Sequence, residues 1–262
     1  MRYELLGPLR VCAADGKRFA LSAAKAETTL ALLLAAGGRA VGKEQLTSEL
    51  WGDSPPRSAA AAIHVYVSQV RKFLARAGDP GGSSIVTTPS GYRLDIRDSG
   101  YDVAEFGASV RTGQELLEAG RTEAALESFE RALALVRGPV LDERSEGPVL
   151  SAFTTWAEEE RLACLELSIE ARTALGRHRE VISTLYALTA DHPLRESFYR
   201  QLMLVLYRAE RRAEALEVYR SARQVLRAEL GLEPHRSLRR LHQAILSADQ
   251  ELDRSADRPL AS

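Results

Sequence analysis

Ile63, Val67, Val70 and Leu74 recur at i, i+4, i+7 and i+11, a single apolar stripe that predicts an α-helix over residues 57–76. The opposite side carries His64, Ser68, Arg71 and Lys72. Arg57, Arg71, Lys72 and Arg76 add four positive charges, and no Asp or Glu lies between Asp53 and Asp79. Such a helix can pack on one face and meet phosphates on the other. Taken alone, an amphipathic core helix with a solvated basic face is the simpler reading, so the neighbouring pattern has to decide.

Before this helix, residues 3–11 read as short strands broken by the Gly7-Pro8 turn, and residues 19–21 as a further strand after Asp15-Gly16, which together predict a small antiparallel sheet. Residues 23–36, rich in Ala and Leu, form a first helix ended by Gly37-Gly38, and residues 43–51 a second ended by Gly52. Ser54 is placed as N-cap of the third helix, with Pro55 as its first residue. After the Gly-rich stretch 78–82, residues 84–95 give two β-rich runs around Pro89-Ser90-Gly91. Three helices followed by a hairpin predict a winged helix, in which the third helix enters the major groove and the hairpin is the wing. At about 1.5 Å per residue the predicted helix is about 30 Å long, enough to lie along that groove.

The rear of the chain has another period. From Asp102 to Ile245 nearly every residue fits an amphipathic helix, with breaks at Gly120, Gly138-Pro139, Gly147-Pro148, Gly176, His192-Pro193 and Gly231. Ala125-Leu126-x-x-Phe129-x-x-Ala132 matches Ala215-Leu216-x-x-Tyr219-x-x-Ala222, and Ile182-x-x-Leu185 lies 34 residues before Leu216-x-x-Tyr219, the tetratricopeptide interval. From Leu126 to Ile182 the spacing is 56, so an insertion near residues 137–148 interrupts the array. An irregular helical-hairpin solenoid with a concave binding face is expected. The fold class is thus mainly α with small β: a winged-helix domain over 1–98, an all-α tetratricopeptide-like domain over 99–248, and a flexible polar tail over 249–262.

Charge separates the two parts: residues 1–98 hold 13 Lys/Arg against 9 Asp/Glu, the remainder 22 against 27. A basic front half suits a polyanion. Cys12 and Cys164 have no Cys or His at metal-ligand spacing, so neither a zinc site nor a disulfide framework is indicated. The start Met1-Arg-Tyr-Glu is not that of a signal peptide, and the longest apolar run, 30–36, is too short to cross a bilayer. A cytoplasmic protein without a membrane partner is expected. Gly37-Gly-Arg-Ala-Val-Gly-Lys-Glu approaches a phosphate-binding loop, but Glu44 stands where a Ser or Thr hydroxyl is needed and a helix precedes it, so a helix-to-helix turn is expected. His178, His192, His235 and His242 read as solvated or capping residues. With no hydrolase, zincin or dinucleotide motif, no enzyme, cofactor or metal is expected.

Residues 46–52, Val65-Tyr-Val-Ser-Gln-Val-Arg-Lys and Thr88-Pro-Ser-Gly-Tyr-Arg stand in the order of an OmpR-type winged helix. With Gly138-Pro-Val-Leu, His192-Pro-Leu-Arg-Glu and Leu226-Arg-Ala-Glu-Leu-Gly-Leu-Glu-Pro234, the chain resembles the Streptomyces antibiotic regulatory protein (SARP) family over residues 1–248. In that family a bacterial transcriptional activation domain follows the winged helix. Many members carry an ATPase domain after it, and response regulators place a receiver domain ahead of the winged helix; neither is expected within these residues.

The resemblance implies a sequence-specific activator of a secondary-metabolite (antibiotic) gene cluster, bound as a homodimer to direct repeats near the promoter −35 region. Its partners would be promoter DNA and RNA polymerase holoenzyme, through σ region 4, with the α and β subunits as further candidates. DNA-contact positions carried over are Arg57, His64, Ser68, Gln69, Arg71, Lys72 and Arg76 on or beside the helix, and Thr87, Thr88, Ser90 and Arg93 at the wing. Trp51, Asp53 and Ser54 are carried over as polymerase-contact candidates, although Trp51 also reads as core. Ala59–Ala62 offer no polar side chain where relatives often have Asn or Thr, which shifts the expected contact toward Arg71 and Lys72; Thr88 stands where some relatives have Arg. A tetratricopeptide-like adaptor or ligand sensor, and a repressor, are the alternatives the sequence leaves open.

Overall fold

The computed structural model describes residues 1–79, 84–96, 99–143 and 147–248. The tail expected after residue 248 and the Gly81-Gly82 turn lie outside the described residues. The chain divides into two compact units, one of Met1–Ser109 with Arg131–Leu162 and one of Val110–Glu130 with the described residues from Ala163 onward.

The first unit opens with β1 (Arg2–Glu4), β2 (Arg10–Cys12) and β3 (Arg18–Phe19). Then come α1 (Ala24–Ala35), β4 (Val41–Gly42), α2 (Lys43–Trp51), α3 (Ala59–Arg76), β5 (Ile85–Thr87), β6 (Gly91–Leu94) and β7 (Gly100–Tyr101). The first sheet has the order β3-β2-β1-β7, antiparallel except for β7, which runs parallel to β1. The second is antiparallel, order β4-β6-β5. This is the expected winged helix, with four departures. β7, not among the expected strands, adds a parallel strand to a sheet expected to be antiparallel. The turn after α1 contains β4, too short to leave a periodic signal, and β3 begins one residue early and stops at Phe19. Finally, α3 starts at Ala59 with Ser58 as its uncapped N-cap, not at Ser54-Pro55. The reason is local: Pro56 disfavours helical backbone at the residue before it, so Pro55 cannot open the helix. The buried faces of α1 and α3, including Leu30, Leu33, Leu34, Ile63, Val67, Val70 and Leu74, form one core with Leu46, Tyr92 and Leu94.

Leu141, Leu150 and Phe153 belong to that same core, so the segment 131–162 completes the first unit. Polar contacts explain why. Arg137 N donates to Leu6 O at 2.8 Å, Leu141 N to Gly7 O at 2.9 Å, and the Arg137 guanidinium reaches Pro8 O at 3.2 Å. Gly7, at φ +139°, lets the backbones approach; a Cβ there would meet that of Arg137 at 3.1 Å. The buried Asp102 carboxylate accepts Leu5 N and Leu6 N, both at 2.9 Å. Burial pushes its pKa up, against those two hydrogen bonds and Arg137. The Tyr101 hydroxyl donates to Leu34 O at 2.9 Å, tying β7 to α1.

The remaining elements are α4 (Asp102–Glu118), α5 (Thr122–Leu133), a 3-10 turn (Val140–Glu143), α6 (Pro148–Ala174), α7 (His178–Asp191), α8 (Glu196–Arg208), α9 (Arg212–Leu230) and α10 (Arg236–Ser247). Three hairpin turns in the second unit share one design. Gly120, Gly176 and Glu210 take φ of +72°, +77° and +64°. The next residue's N–H, at Arg121, Arg177 and Arg211, returns to Leu116 O, Arg172 O and Leu206 O at 2.8–2.9 Å. Their spacings of 56 and 34 repeat those of the sequence motif. The break before Arg212 escapes sequence reading because the third turn uses Glu in place of Gly. Left-handed backbone costs a non-glycine residue about 1 kcal/mol, so the exposed Glu210→Gly is expected to stabilise this unit by roughly 0.5–1 kcal/mol, read as a raised urea midpoint; an unchanged or lowered midpoint would contradict this.

His235 accepts Ser237 N as N-cap of α10, and His242 stacks on Tyr219 at 3.8 Å. Burial, then Arg208, holds the His178 pKa below its ordinary value; burial, then Arg220, does the same for His242. As pH falls through the ordinary histidine value of about 6.5, the unfolded chain binds more protons than the folded one. Stability present above that pH is therefore lost on acidification until the folded values are passed. Melts between about pH 8 and about pH 5 should show this fall, with replacement of both by Gln flattening it; equal slopes would refute the assignment.

Among the described residues, no helix is long and apolar enough to cross a membrane, and no cluster of His, Cys, Asp and Glu could hold a metal. Cys12 and Cys164 are both buried and neither forms a disulfide.

Candidate nucleic-acid interface

The buried stripe sets the roll of α3 and leaves one long face outward. His64, Val65, Ser68, Gln69, Lys72 and Arg76 are all exposed along it. Arg57 is exposed in the turn leading into it. Ala60 and Ala61 are the exposed residues near its start, so the first turn offers methyl groups and the polar groups begin at His64.

Val65 was not legible as a site residue. It is 53% exposed, an isolated apolar side chain between His64 and Ser68. The signal was present: Val65 lies off the i, i+4, i+7, i+11 stripe, so the helix roll excludes it from the core.

Arg71 is placed differently from its neighbours. Its Nη2 donates to Ile85 O at 2.8 Å and Thr87 Oγ1 at 2.9 Å, with Nε to Ile85 O at 3.3 Å. A guanidinium fork thus clamps α3 to wing strand β5, using Thr87, itself one of the carried-over positions. The wing turn closes on Thr88: Thr88 N donates to Gly91 O at 2.9 Å, and Thr88 Oγ1 accepts Gly91 N at 3.1 Å. Ser90 is exposed at the tip. Arg93 is half-buried, opposite Val86 in the β5–β6 register, with no hydrogen-bond partner for its buried Nε among the described residues. A second side-chain tie joins helix and wing: His64 Nδ1 lies 2.7 Å from Tyr92 Oη, with the rings edge to face.

Trp51, at the end of α2, packs against Tyr66 of α3 with ring centroids 6.1 Å apart, and Lys25 Nζ lies 4.9 Å from its ring centroid. Trp51 is therefore half-buried, whereas Asp53 and Ser54 are exposed in the turn before α3.

A winged helix with an acid-free basic helix face, on a chain that continues into tetratricopeptide-like hairpins, defines the class of winged-helix transcriptional regulators. Residues 16–94 match the family model "Transcriptional regulatory protein, C terminal", and residues 101–246 match the bacterial transcriptional activator domain. Regulatory protein DnrI of Streptomyces peucetius is 35% identical over 260 residues, covering 97% of this chain and 95% of its own length. Transcriptional regulatory protein EmbR of Mycobacterium tuberculosis is 37% identical over 251 residues, 96% of this chain and 64% of EmbR, so the chain spans just under two thirds of the length of that relative. The solved structure of Mycobacterium tuberculosis EmbR in complex with low affinity phosphopeptide matches with a TM-score of 0.90 at 36% identity, covering 98% of this chain and 68% of that one. The chain belongs to the Streptomyces antibiotic regulatory protein family of transcriptional regulators.

Proposed function

We propose that this protein is a cytoplasmic, sequence-specific DNA-binding activator that inserts α3 into the major groove and lays the wing on adjacent backbone. The observation that supports it most is the continuous exposed face of α3, free of carboxylates and ending in Lys72 and Arg76. Ser68 and Gln69 supply hydrogen bonds at base edges, Val65 suits a thymine methyl, and Arg57, Lys72 and Arg76 neutralise phosphates. Arg71, with its fork occupied by β5, orients the wing. Bound side by side on direct repeats near the −35 element, two copies present the Asp53-Ser54 turns to polymerase holoenzyme at σ, and the regulated genes form a secondary-metabolite cluster.

Selection of duplexes from a randomised library by the full chain should enrich a directly repeated motif. Lys72→Ala should then weaken binding to all sequences alike and lower the salt slope by about one. Failure to enrich any motif would overturn DNA recognition. In vitro transcription with purified holoenzyme on the selected site tests the sign: more transcript supports activation, less makes the protein a repressor.

A further inference from the structure

We propose that Tyr92 is a positioning residue for DNA recognition, holding His64 so that its outward ring nitrogen is a fixed hydrogen-bond donor. The inference rests on the reading of α3 as the DNA-contacting helix. Tyr92 itself is 1% exposed and sits on β6, behind the helix. His64 is exposed on α3, so the pair joins a buried wing residue to an outward one through a single 2.7 Å contact.

The direction of that hydrogen bond follows from what else the hydroxyl can reach. His64 Nδ1 is the hydrogen-bonding partner of Tyr92 Oη among the described residues. If Nδ1 carried the proton and donated, the phenol hydrogen would remain without an acceptor beside the core, which is unfavourable for a buried hydroxyl. With the phenol donating, Nδ1 accepts and the neutral ring carries its proton on Nε2. The edge-to-face packing of the rings, with centroids 6.1 Å apart and planes at 83°, restrains rotation about the last side-chain bond.

An exposed Nε2–H held this way matches an acceptor: guanine O6 or N7, adenine N7 or thymine O4 in the major groove, or a phosphate oxygen. It does not match the adenine or cytosine amino groups, which are donors. The wing therefore contributes to recognition through the helix, even where its own tip contacts only backbone.

The first test uses the protein without DNA. Long-range 1H–15N spectra of histidine-labelled full chain at mildly alkaline pH, with His64 assigned by its loss in His64→Ala, should show Nδ1 unprotonated and Nε2 protonated. A proton on Nδ1 would overturn the proposal. The second uses the duplex selected by the wild-type chain. Tyr92→Phe keeps the ring and removes the hydroxyl; it should weaken binding by about 3- to 10-fold, while costing nothing further in a His64→Ala background. An equal loss in both backgrounds would make Tyr92 a structural residue only and sink the proposal. If base substitutions in the duplex show the Tyr92→Phe loss confined to one base pair, the contact is to a base edge; a uniform loss assigns it to phosphate. Should the wild-type chain enrich no duplex, DNA recognition itself fails, and the positioning role falls with it even where the spectra show the expected tautomer.

Discussion

Gly91→Ala is expected to unseat the wing and abolish DNA binding. Gly91 opens β6 and pairs with Gly42 of β4. A Cβ at Gly91 would lie 1.9 Å from Val41 O, 2.9 Å from Val41 C and 3.1 Å from Gly42 Cα. The atoms it meets are backbone, so no side chain can rotate away, and the two strands have to separate. The adjacent pair Val41–Tyr92 goes with them, as does the hydrogen bond from Lys43 N to Ser90 O at 3.2 Å. The cost is about 3 kcal/mol or more, at the upper end for overpacking because backbone must shift. For a unit of this size that lowers the Tm by roughly 6–12 °C. Thermal melting and a binding assay on the selected duplex check it together; a variant that melts with wild type and binds normally would show that β4 and β6 have room to move.

The second large effect is expected at Glu49, a carboxylate 6% exposed on α2. Helix α6 begins at Pro148, and Gly147 before it has no side chain with which to cap it. Glu49 supplies the cap from another element: Oε2 accepts Val149 N at 2.8 Å and Oε1 accepts Leu150 N at 3.1 Å. Charge at a helix N-terminus strengthens both bonds. A Cβ at 147 would stand 2.2 Å from the Glu49 carboxyl carbon, so a side chain there would push the carboxylate off its cap. Glu49→Ala leaves two amides unpaired and a void beside Leu150, a loss of about 2–4 kcal/mol. Glu49→Gln keeps one acceptor and should fall between. Hydrogen exchange is the direct readout: the Val149 and Leu150 amides should exchange faster in Glu49→Ala, and unchanged protection would refute the cap. Glu49 lies two residues before Trp51 and just ahead of the exposed 53–58 turn, so the same variant should reduce transcription if that turn meets polymerase.

Much of this was legible along the chain because it depends on local pattern. The stripe at Ile63, Val67, Val70 and Leu74 placed α3 and set its outward face, since a 3.6-residue period leaves one choice of roll. Gly120 and Gly176 marked helix ends, since glycine takes left-handed backbone at no steric cost. Glu210 hid the third such turn, because there the tertiary packing of α8 and α9 holds a non-glycine residue in the same conformation. Pro55-Pro56 misled the start of α3, because the second proline disfavours helical backbone at the first.

Long-range partners were not legible. Arg71 and Lys72 are adjacent, both basic and both on the polar side of α3, yet Arg71 is spent on Ile85 and Thr87 while Lys72 is left exposed. Their difference arises only when β5 is laid beside the helix. Val65 read as one more apolar residue until the roll turned it outward.

The sequence by itself determined the order of elements, the winged-helix and hairpin-array patterns, and which helix presents a basic face, because each follows from periodicity and turn chemistry within a few residues. Tertiary structure decided which side chains on that face are free to meet a ligand, that residues 131–162 complete the first unit, and that Glu49 caps a helix a hundred residues away. Those facts depend on hydrogen bonds between segments far apart in the chain, and hydrogen bonds require donors and acceptors brought within about 3 Å, a distance that no one-dimensional pattern records.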